Sequence, residues 1–314
     1  MSLDRLAAEL TARLPAGRVA RDVPVADLTT YRLGGPVAVV ARVATPADLA
    51  AVAAALATLH PPPPILVVGR GSNLLVADRG VAGLGVVLTG DFETLDVDPD
   101  TCRVRAGAAT PLPVLARRAA AAGLADLEFF VGIPGSVGGA VRMNAGGHGA
   151  DTAEVLEEAL VADLLGDPTP TARTAADLDL AYRHSALRPG ELVTGAVFHT
   201  RPDDPACCAA RIDEVVRWRR EHQPGGSNAG SVFRNPPGDS AGRLIDAAGL
   251  KGLRVGGAVV STKHANFFQA EPGASADDVA RLVAEVQARV DAATGVHLVP
   301  ELELVGFDDR AGGR

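Results

Sequence analysis

Residues 132–149 read Gly132-Ile-Pro-Gly-Ser-Val-Gly-Gly-Ala-Val-Arg-Met-Asn-Ala-Gly-Gly-His-Gly149, seven glycines in 18 residues. Pro134 stiffens the run, which sets it apart from a flexible Gly/Ser linker. Such a backbone can lie flat against an extended ligand and donate N–H groups to it; a glycine-rich packing corner is the other reading. About 60 residues earlier, Val68-Gly69-Arg70-Gly71-Ser72-Asn73-Leu74-Leu75 directly follows an apolar, strand-like run. Glycines at 69 and 71 permit positive φ and leave no Cβ between backbone and ligand. Consecutive amides in such a turn can form an anion nest, with Ser72 and Asn73 adding side-chain donors; a plain tight turn is the alternative. Leu74 stands where a G-x-G-x-x-G motif needs its third glycine, and no G-x-x-x-x-G-K-[ST] is present. Two phosphate-grade loops point to one dinucleotide spanning both.

The segments around these loops alternate strand and helix signals. Residues 1–15 carry Leu3, Leu6, Leu10 and Leu14 at helical spacing. Pro36 to Val43 reads as a buried strand. Thr45-Pro46-Ala47-Asp48 opens a helix that runs to about Leu59, and Ile65 to Val68 is a second strand, giving a βαβ order. Short strands follow at Val81–Leu88, Thr94–Val97 and Cys102–Arg105, then a helix from Pro111 to Gly123. Arg201-Pro-Asp-Asp-Pro205 reads as a linker, so two domains are expected, joined near residue 203. Beyond it come a helix over about 205–220, a helix capped by Ser275 and stopped at Gly295, and a closing strand from His297 to Val305. The division is then 1–28 as helix and lead-in, 29–203 as nucleotide-binding domain and 204–314 as a C-terminal domain.

The formal net charge of −8 disfavours a dedicated nucleic-acid binder, which needs a basic face. Three cysteines, two of them adjacent, make neither a disulfide framework nor a zinc site, so no metal is expected. Asp4, Arg5 and Glu9 interrupt any signal-peptide-like apolar run, and the longest weakly apolar stretch, Leu49 to Leu59, is too short for a membrane span. A soluble cytoplasmic protein without membrane insertion is the expectation.

Four further segments carry polar groups in informative settings. Ala181-Tyr182-Arg183-His184-Ser185 offers an Arg, whose planar fork suits a carboxylate or phosphate. Asn228-Ala-Gly-Ser231-Val-Phe-Arg-Asn235-Pro places a serine outside any G-x-S-x-G elbow, so Ser231 reads as a proton donor or ligand contact, not a hydrolase nucleophile. Lys263-His-Ala-Asn-Phe267 adds His264 and Asn266, which can read a polar ligand. Val299-Pro-Glu301-Leu-Glu303 puts two carboxylates at strand spacing on one face, and spacing does not choose between them.

Taken in order, GRGSNLL (69–75), GIPGSVGGAVRMNAG (132–146), YRHS (182–185), GSVFRNP (230–236), AGLKGLRVGGA (248–258), KHANF (263–267) and VPEL (299–302) resemble the UDP-N-acetylenolpyruvoylglucosamine reductase family, from about Thr29 to Gly306. The resemblance implies an α+β chain: a two-lobed FAD-binding domain of the vanillyl-alcohol-oxidase (PCMH) type, then a smaller α/β substrate domain. It also implies non-covalent FAD lined by Gly69, Arg70, Gly71, Ser72, Asn73, Leu74, Gly132, Ile133, Pro134, Gly135, Ser136, Gly139 and Ala140. NADPH is the implied co-substrate. Flavin hydride would reach C3 of an enolpyruvyl UDP-sugar, with Arg183 and Glu301 stabilising the enolate and Ser231 protonating C2. Asn235 and Asn266 would contact substrate, and a monomer is expected. Arg234 stands where Lys is also common, and Glu303 where many relatives carry a basic residue. Arg183 and Ser231 are only 48 residues apart, which leaves no room for the tyrosine-bearing loop of one family branch. An oxidase or dehydrogenase of the same fold acting on another alcohol, and a non-catalytic nucleotide sensor, are the competing readings.

Overall fold

Local side chains set the helix ends. Asp48 donates its amide to Thr45 Oγ1 and accepts the Thr45 amide on its carboxylate, so a capping box opens the helix Pro46–Leu56. Ser275 and Asp278 repeat the device at Ala276–Thr294, and Gly295, at φ 70°, ends that helix in the left-handed conformation. Both carboxylate oxygens of Asp78 accept from the first amides of the same helix, Ala276 and Asp277, placing negative charge at its positive end. These features belong to a computed structural model that describes residues 2–307; Met1 and residues 308–314, which fall in the expected terminal segments, lie outside them.

Contacts divide the chain into two units. The first runs from the start of the described residues to Asp22, then Ala38–Arg70 and Ala82–Arg219. Its four-stranded sheet has the order Val19–Pro24, Pro36–Val43, Val81–Leu88, Ile65–Val67. The expected βαβ neighbours are therefore separated: Val81–Leu88 inserts between them and runs parallel to Ile65–Val67 with Leu84 opposite Ile65. Leu6, Leu10 and Leu14 of the N-terminal amphipathic stretch pack with Val39, Leu49, Leu56 and Leu84 in one core. The second sheet is antiparallel throughout, in the order Thr171–Arg173, Leu156–Asp163, Glu191–His199, Arg103–Gly107, Leu95–Asp98. It has its own core around Val104, Leu115, Phe130 and Phe198. Two sheets with two cores make the two lobes expected of this part of the chain.

The helix Pro205–His222 buries Cys208, Ile212 and Val215 in the second of these cores. It therefore counts with the first unit, and the contact boundary falls between Arg219 and Arg220 instead of near 203. The expected linker is partly strand: Arg201–Pro202 pairs antiparallel with Leu124–Ala125, and the Asp203 amide donates to Gly123 O at 2.8 Å.

The second unit comprises Val23–Val37, Gly71–Val81 and the chain from Arg220 onward. The helix Ala276–Thr294 lays Val279, Leu282, Val283, Val286 and Val290 over a three-stranded antiparallel sheet, Arg254–Val255, Ala258–Val260 and Phe268–Ala270. Each such side chain, fully buried, contributes on the order of 1.5–3 kcal/mol of hydrophobic stabilisation. Tyr31 is buried there and donates its hydroxyl to Phe268 O at 3.0 Å. The closing strand is shorter than its sequence predicts. Only Glu303–Val305 is strand, parallel to Leu74–Val76, because Pro300 bridges to Phe233 and the chain bends at Leu302.

Candidate active site

Gly69 and the second glycine loop meet within the first unit. A Cβ added at Gly69 would lie 2.6 Å from Ser136 Oγ, and one at Gly139 would lie 3.7 Å from the same oxygen. Ser136 is buried and does not use its hydroxyl to cap the helix Val137–Met143 that it precedes. Gly69 and Gly139 thus present bare backbone beside the Ser136 hydroxyl, a cradle that suits close approach of a pyrophosphate, and of the two only Gly69 lacks room for a Cβ. Gly71, at φ 59°, is obligatory for a second reason: its Cβ would lie 2.1 Å from Leu28 O, a backbone atom that cannot yield.

The long run 132–149 does not present its amides to a ligand along its whole length. Val137 N donates to Thr110 O at 3.0 Å and Gly138 N to Ala108 O at 2.8 Å. Gly132 and Gly138 also have a packing reason to be glycine: Cβ atoms there would meet Val215 and His148, and Ala108, at 3.0–3.1 Å. The run combines the two readings its composition allowed, cradle at one point and packing corner at others.

Arg183 sits on a tight turn in which the Ala181 and His184 backbones bond each other, and its own φ is 55°. That left-handed backbone is uncommon for a residue bearing a long side chain. Nη1 donates to Asn144 O at 3.3 Å and Nη2 to Gly146 O at 3.1 Å, while the guanidinium lies 5.0 Å from the Tyr182 ring centroid. Ser185 Oγ donates to Arg142 O at 2.6 Å, and Arg142 donates to Leu187 O at 2.6 Å. The whole turn is therefore tied to the end of the helix Val137–Met143.

Ser231 and Glu301 lie on neighbouring backbone in the second unit. The Glu301 amide donates to Val232 O at 2.8 Å, and Phe233 bridges to Pro300. Glu301 is half-buried and Glu303 exposed, and the bend at Leu302 removes the shared strand face that their spacing predicts. Asn235 accepts the Ala241 amide on Oδ1 at 3.1 Å. Arg234 carries a buried Nε without a hydrogen-bond partner, a cationic donor three residues from Ser231.

Asn266 is tied to the segment that bears Ser231. It is buried, its Nδ2 donates to Phe233 O at 2.8 Å, and its Oδ1 accepts the Phe233 amide at 3.0 Å. Its backbone carbonyl takes the Val232 amide at 2.9 Å. With both ends of the carboxamide engaged on one residue, Asn266 clamps the Ser231–Phe233 segment. His264 Nδ1 faces the Asn266 amide at 3.3 Å, and burial holds its pKa below the usual imidazole value. Lys263 donates to Arg220 O. A separate open concavity of about 540 Å³ in the first unit, with Glu128, His148, Arg211 and Trp218 on its walls, contains none of the residues selected from sequence.

Residues 37–167 match the FAD binding domain family, and they contain both Gly69 and the Ser136 cradle. Fold and cradle together define an FAD-dependent oxidoreductase of the α+β class. Residues 221–305, which hold Ser231 and Glu301, match the UDP-N-acetylenolpyruvoylglucosamine reductase, C-terminal domain family. The chain is 45% identical to a UDP-N-acetylenolpyruvoylglucosamine reductase of Acidiphilium cryptum, over 96% of this chain and 97% of that one. It is 42% identical to the enzyme of that name from Methylorubrum extorquens, over 93% of each. The solved structure of UDP-N-acetylenolpyruvylglucosamine reductase from Thermus caldophilus covers 92% of this chain and 99% of its own, with 40% identity and a TM-score of 0.80. The chain belongs to the UDP-N-acetylenolpyruvoylglucosamine reductase family.

Proposed function

We propose that the protein reduces the enolpyruvyl ether of UDP-N-acetylglucosamine to UDP-N-acetylmuramate, a cytoplasmic step of peptidoglycan precursor synthesis, and acts as a monomer. Non-covalent FAD is held by Gly69–Leu74 and by Gly132, Ile133, Pro134, Gly135, Ser136, Gly139 and Ala140. When bound, FAD supplies the hydride that reaches C3 of the enolpyruvyl group, having taken it from NADPH. The protein's side chains manage the charge and proton that follow. Hydride addition leaves an enolate, with negative charge spread over C2 and the carboxylate. A fixed guanidinium at Arg183 and a hydrogen-bonding acid at Glu301 stabilise that charge as it forms. The Ser231 hydroxyl gives its proton to C2 and regains one from solvent. A serine hydroxyl is a weak acid, so a cation in its segment is needed, and Arg234 is the group for it. Asn235 contacts substrate, and Asn266 holds the segment that bears Ser231.

The observation that carries this reading is the Glu301 amide on Val232 O at 2.8 Å, which joins the carboxylate's segment to the serine's. The test mixes purified protein with NADPH and the enolpyruvyl UDP-sugar and follows NADPH absorbance. The reading expects a yellow protein that releases FAD on acid precipitation and oxidises NADPH beyond one equivalent per flavin only when the UDP-sugar is present. A colourless protein that ignores added FAD, or a flavin that stays attached after acid, overturns it.

A further inference from the structure

We propose that Asn144 is a positioning residue for Arg183, holding the turn that presents this guanidinium. The inference rests on the assignment of Arg183 to enolate stabilisation. Asn144 follows the helix Val137–Met143 as its C-cap, at φ 40° and ψ 60°, a left-handed conformation that Asn tolerates better than most residues. It is buried, with 2% of its surface exposed. Its side chain is fully engaged: Nδ2 donates to Asp151 Oδ2 and to Ala181 O, both at 3.1 Å, and Oδ1 accepts the Ala153 amide at 2.8 Å. Its own carbonyl receives Arg183 Nη1.

One residue therefore grips the turn 181–184 twice. The carboxamide holds the backbone where the turn begins, and the main-chain carbonyl holds the guanidinium that the turn carries. A buried carboxamide with every donor and acceptor matched has one low-energy orientation, because any rotation leaves a group unsatisfied. That rigidity passes to Arg183, whose left-handed backbone needs an external restraint to persist. A helix C-cap alone requires none of the contact to Ala181, since glycine would serve as well. A misplacement of about 1 Å in a catalytic group is enough to cost large factors in rate.

The test uses the FAD-loaded enzyme and two variants. Asn144→Gly keeps the left-handed backbone and removes every side-chain bond. The exchange N144D/D151N keeps the acceptor for the Ala153 amide and restores a donor–acceptor pair between 144 and 151, but leaves the Ala181 carbonyl without its donor. Stopped-flow bleaching of the flavin by NADPH should stay within about twofold of the parent. Reoxidation by the enolpyruvyl UDP-sugar should slow roughly tenfold or more in both variants. Hydrogen exchange over 178–187 should accelerate in both, a readout independent of turnover. Combining Asn144→Gly with Arg183→Ala should add little to the loss from Arg183→Ala alone, the signature of two residues acting as one.

If Asn144→Gly does not fold, the exchange variant decides. Normal reoxidation beside an impaired Arg183→Ala, unchanged exchange over 178–187, or additive losses each overturn the positioning role alone. A silent Arg183→Ala overturns the assignment of Arg183, and the inference with it.

Discussion

Asn73 Nδ2 donates to the carbonyl oxygen of Glu301 at 3.0 Å, across 228 residues of chain. The bond is reciprocated on the backbone, where the Glu303 amide donates to Asn73 O at 3.0 Å. The parallel pair Leu74–Val76 and Glu303–Val305 continues directly from it. A side chain selected from sequence as a phosphate donor thus anchors the segment bearing the proposed catalytic carboxylate. Asn73 and Glu301 are one mechanical piece.

Replacing Asn73 by Ala should consequently act on Glu301 as well as on flavin retention. Loss of one half-buried hydrogen bond costs about 1 kcal/mol of stability, seen as a small drop in the thermal midpoint. The kcat should fall by roughly tenfold through displacement of Glu301. An Asn73→Ala enzyme with full kcat and depleted flavin would show that the loop serves the cofactor only.

The two carboxylates near the end of the chain should separate cleanly. Under the proposed roles of Glu301 and Arg183, in which both answer charge that develops only on hydride transfer, Glu301→Gln and Arg183→Lys should lower kcat by ~10²–10³ with little change in KM. Glu303 is exposed beyond the bend at Leu302, so Glu303→Gln should be close to silent. Steady-state kinetics of the three variants decide the matter. A crippled Glu303→Gln with a normal Glu301→Gln would transfer the role to the other carboxylate.

Acid stability should report on Glu191, at the start of the strand Glu191–His199. Its carboxylate is buried and receives Arg173 Nη2 at 2.7 Å, Arg188 Nη2 at 2.7 Å and the Arg188 amide at 2.7 Å. Burial pushes its pKa up, but the two guanidinium groups and the amide outweigh that and hold it at about 2, from an ordinary 4.5. A carboxylate depressed in the folded state stabilises the protein above its unfolded pKa, and that contribution is lost as pH falls through the folded one. Urea midpoints should therefore drop between about pH 4.5 and 2 in the parent. Glu191→Gln should be less stable at neutral pH and flatter across that window. An equally steep decline in the variant would assign the acid sensitivity to other carboxylates.

What the sequence reveals here is chiefly what is local. The capping boxes at Thr45–Asp48 and Ser275–Asp278 and the left-handed stop at Gly295 each lie within a few residues of the signal that announces them. Misreadings occur where a distant partner decides. Arg201–Pro202 has linker composition yet is a strand, because Leu124–Ala125 is there to pair with it. The strand over His297–Val305 shrinks because Phe233 captures Pro300. Asn266 reads as a ligand contact in its pentapeptide, and its hold on the Ser231 segment is invisible there, because only the fold brings Phe233 to both ends of its carboxamide. Asn144 is hidden among glycines for the same reason: its partner Ala181 lies 37 residues on. Ser231, Arg183 and Glu301 were selectable because their motifs recur in order, whereas the side chains that hold them were not.

Ser231 offers the sharpest division between the two half-reactions. Its segment is fixed from two sides: the Val232 amide on Asn266 O at 2.9 Å, and the Glu301 amide on Val232 O at 2.8 Å. Gly230, at φ 75°, turns the chain immediately before it. Ser231→Ala removes one oxygen from a half-buried position and leaves all of these backbone bonds in place. Fold, flavin content and bleaching by NADPH should all stay near parental values. Reoxidation by the enolpyruvyl UDP-sugar should slow by ~10²-fold or more, the usual scale for losing a positioned general acid. Ser231→Cys should recover part of that loss, since a thiol also donates a proton to C2. Stopped-flow traces of the two phases measure both rates on one sample. Slow bleaching with normal reoxidation would place Ser231 in the nicotinamide step and remove it from protonation of C2.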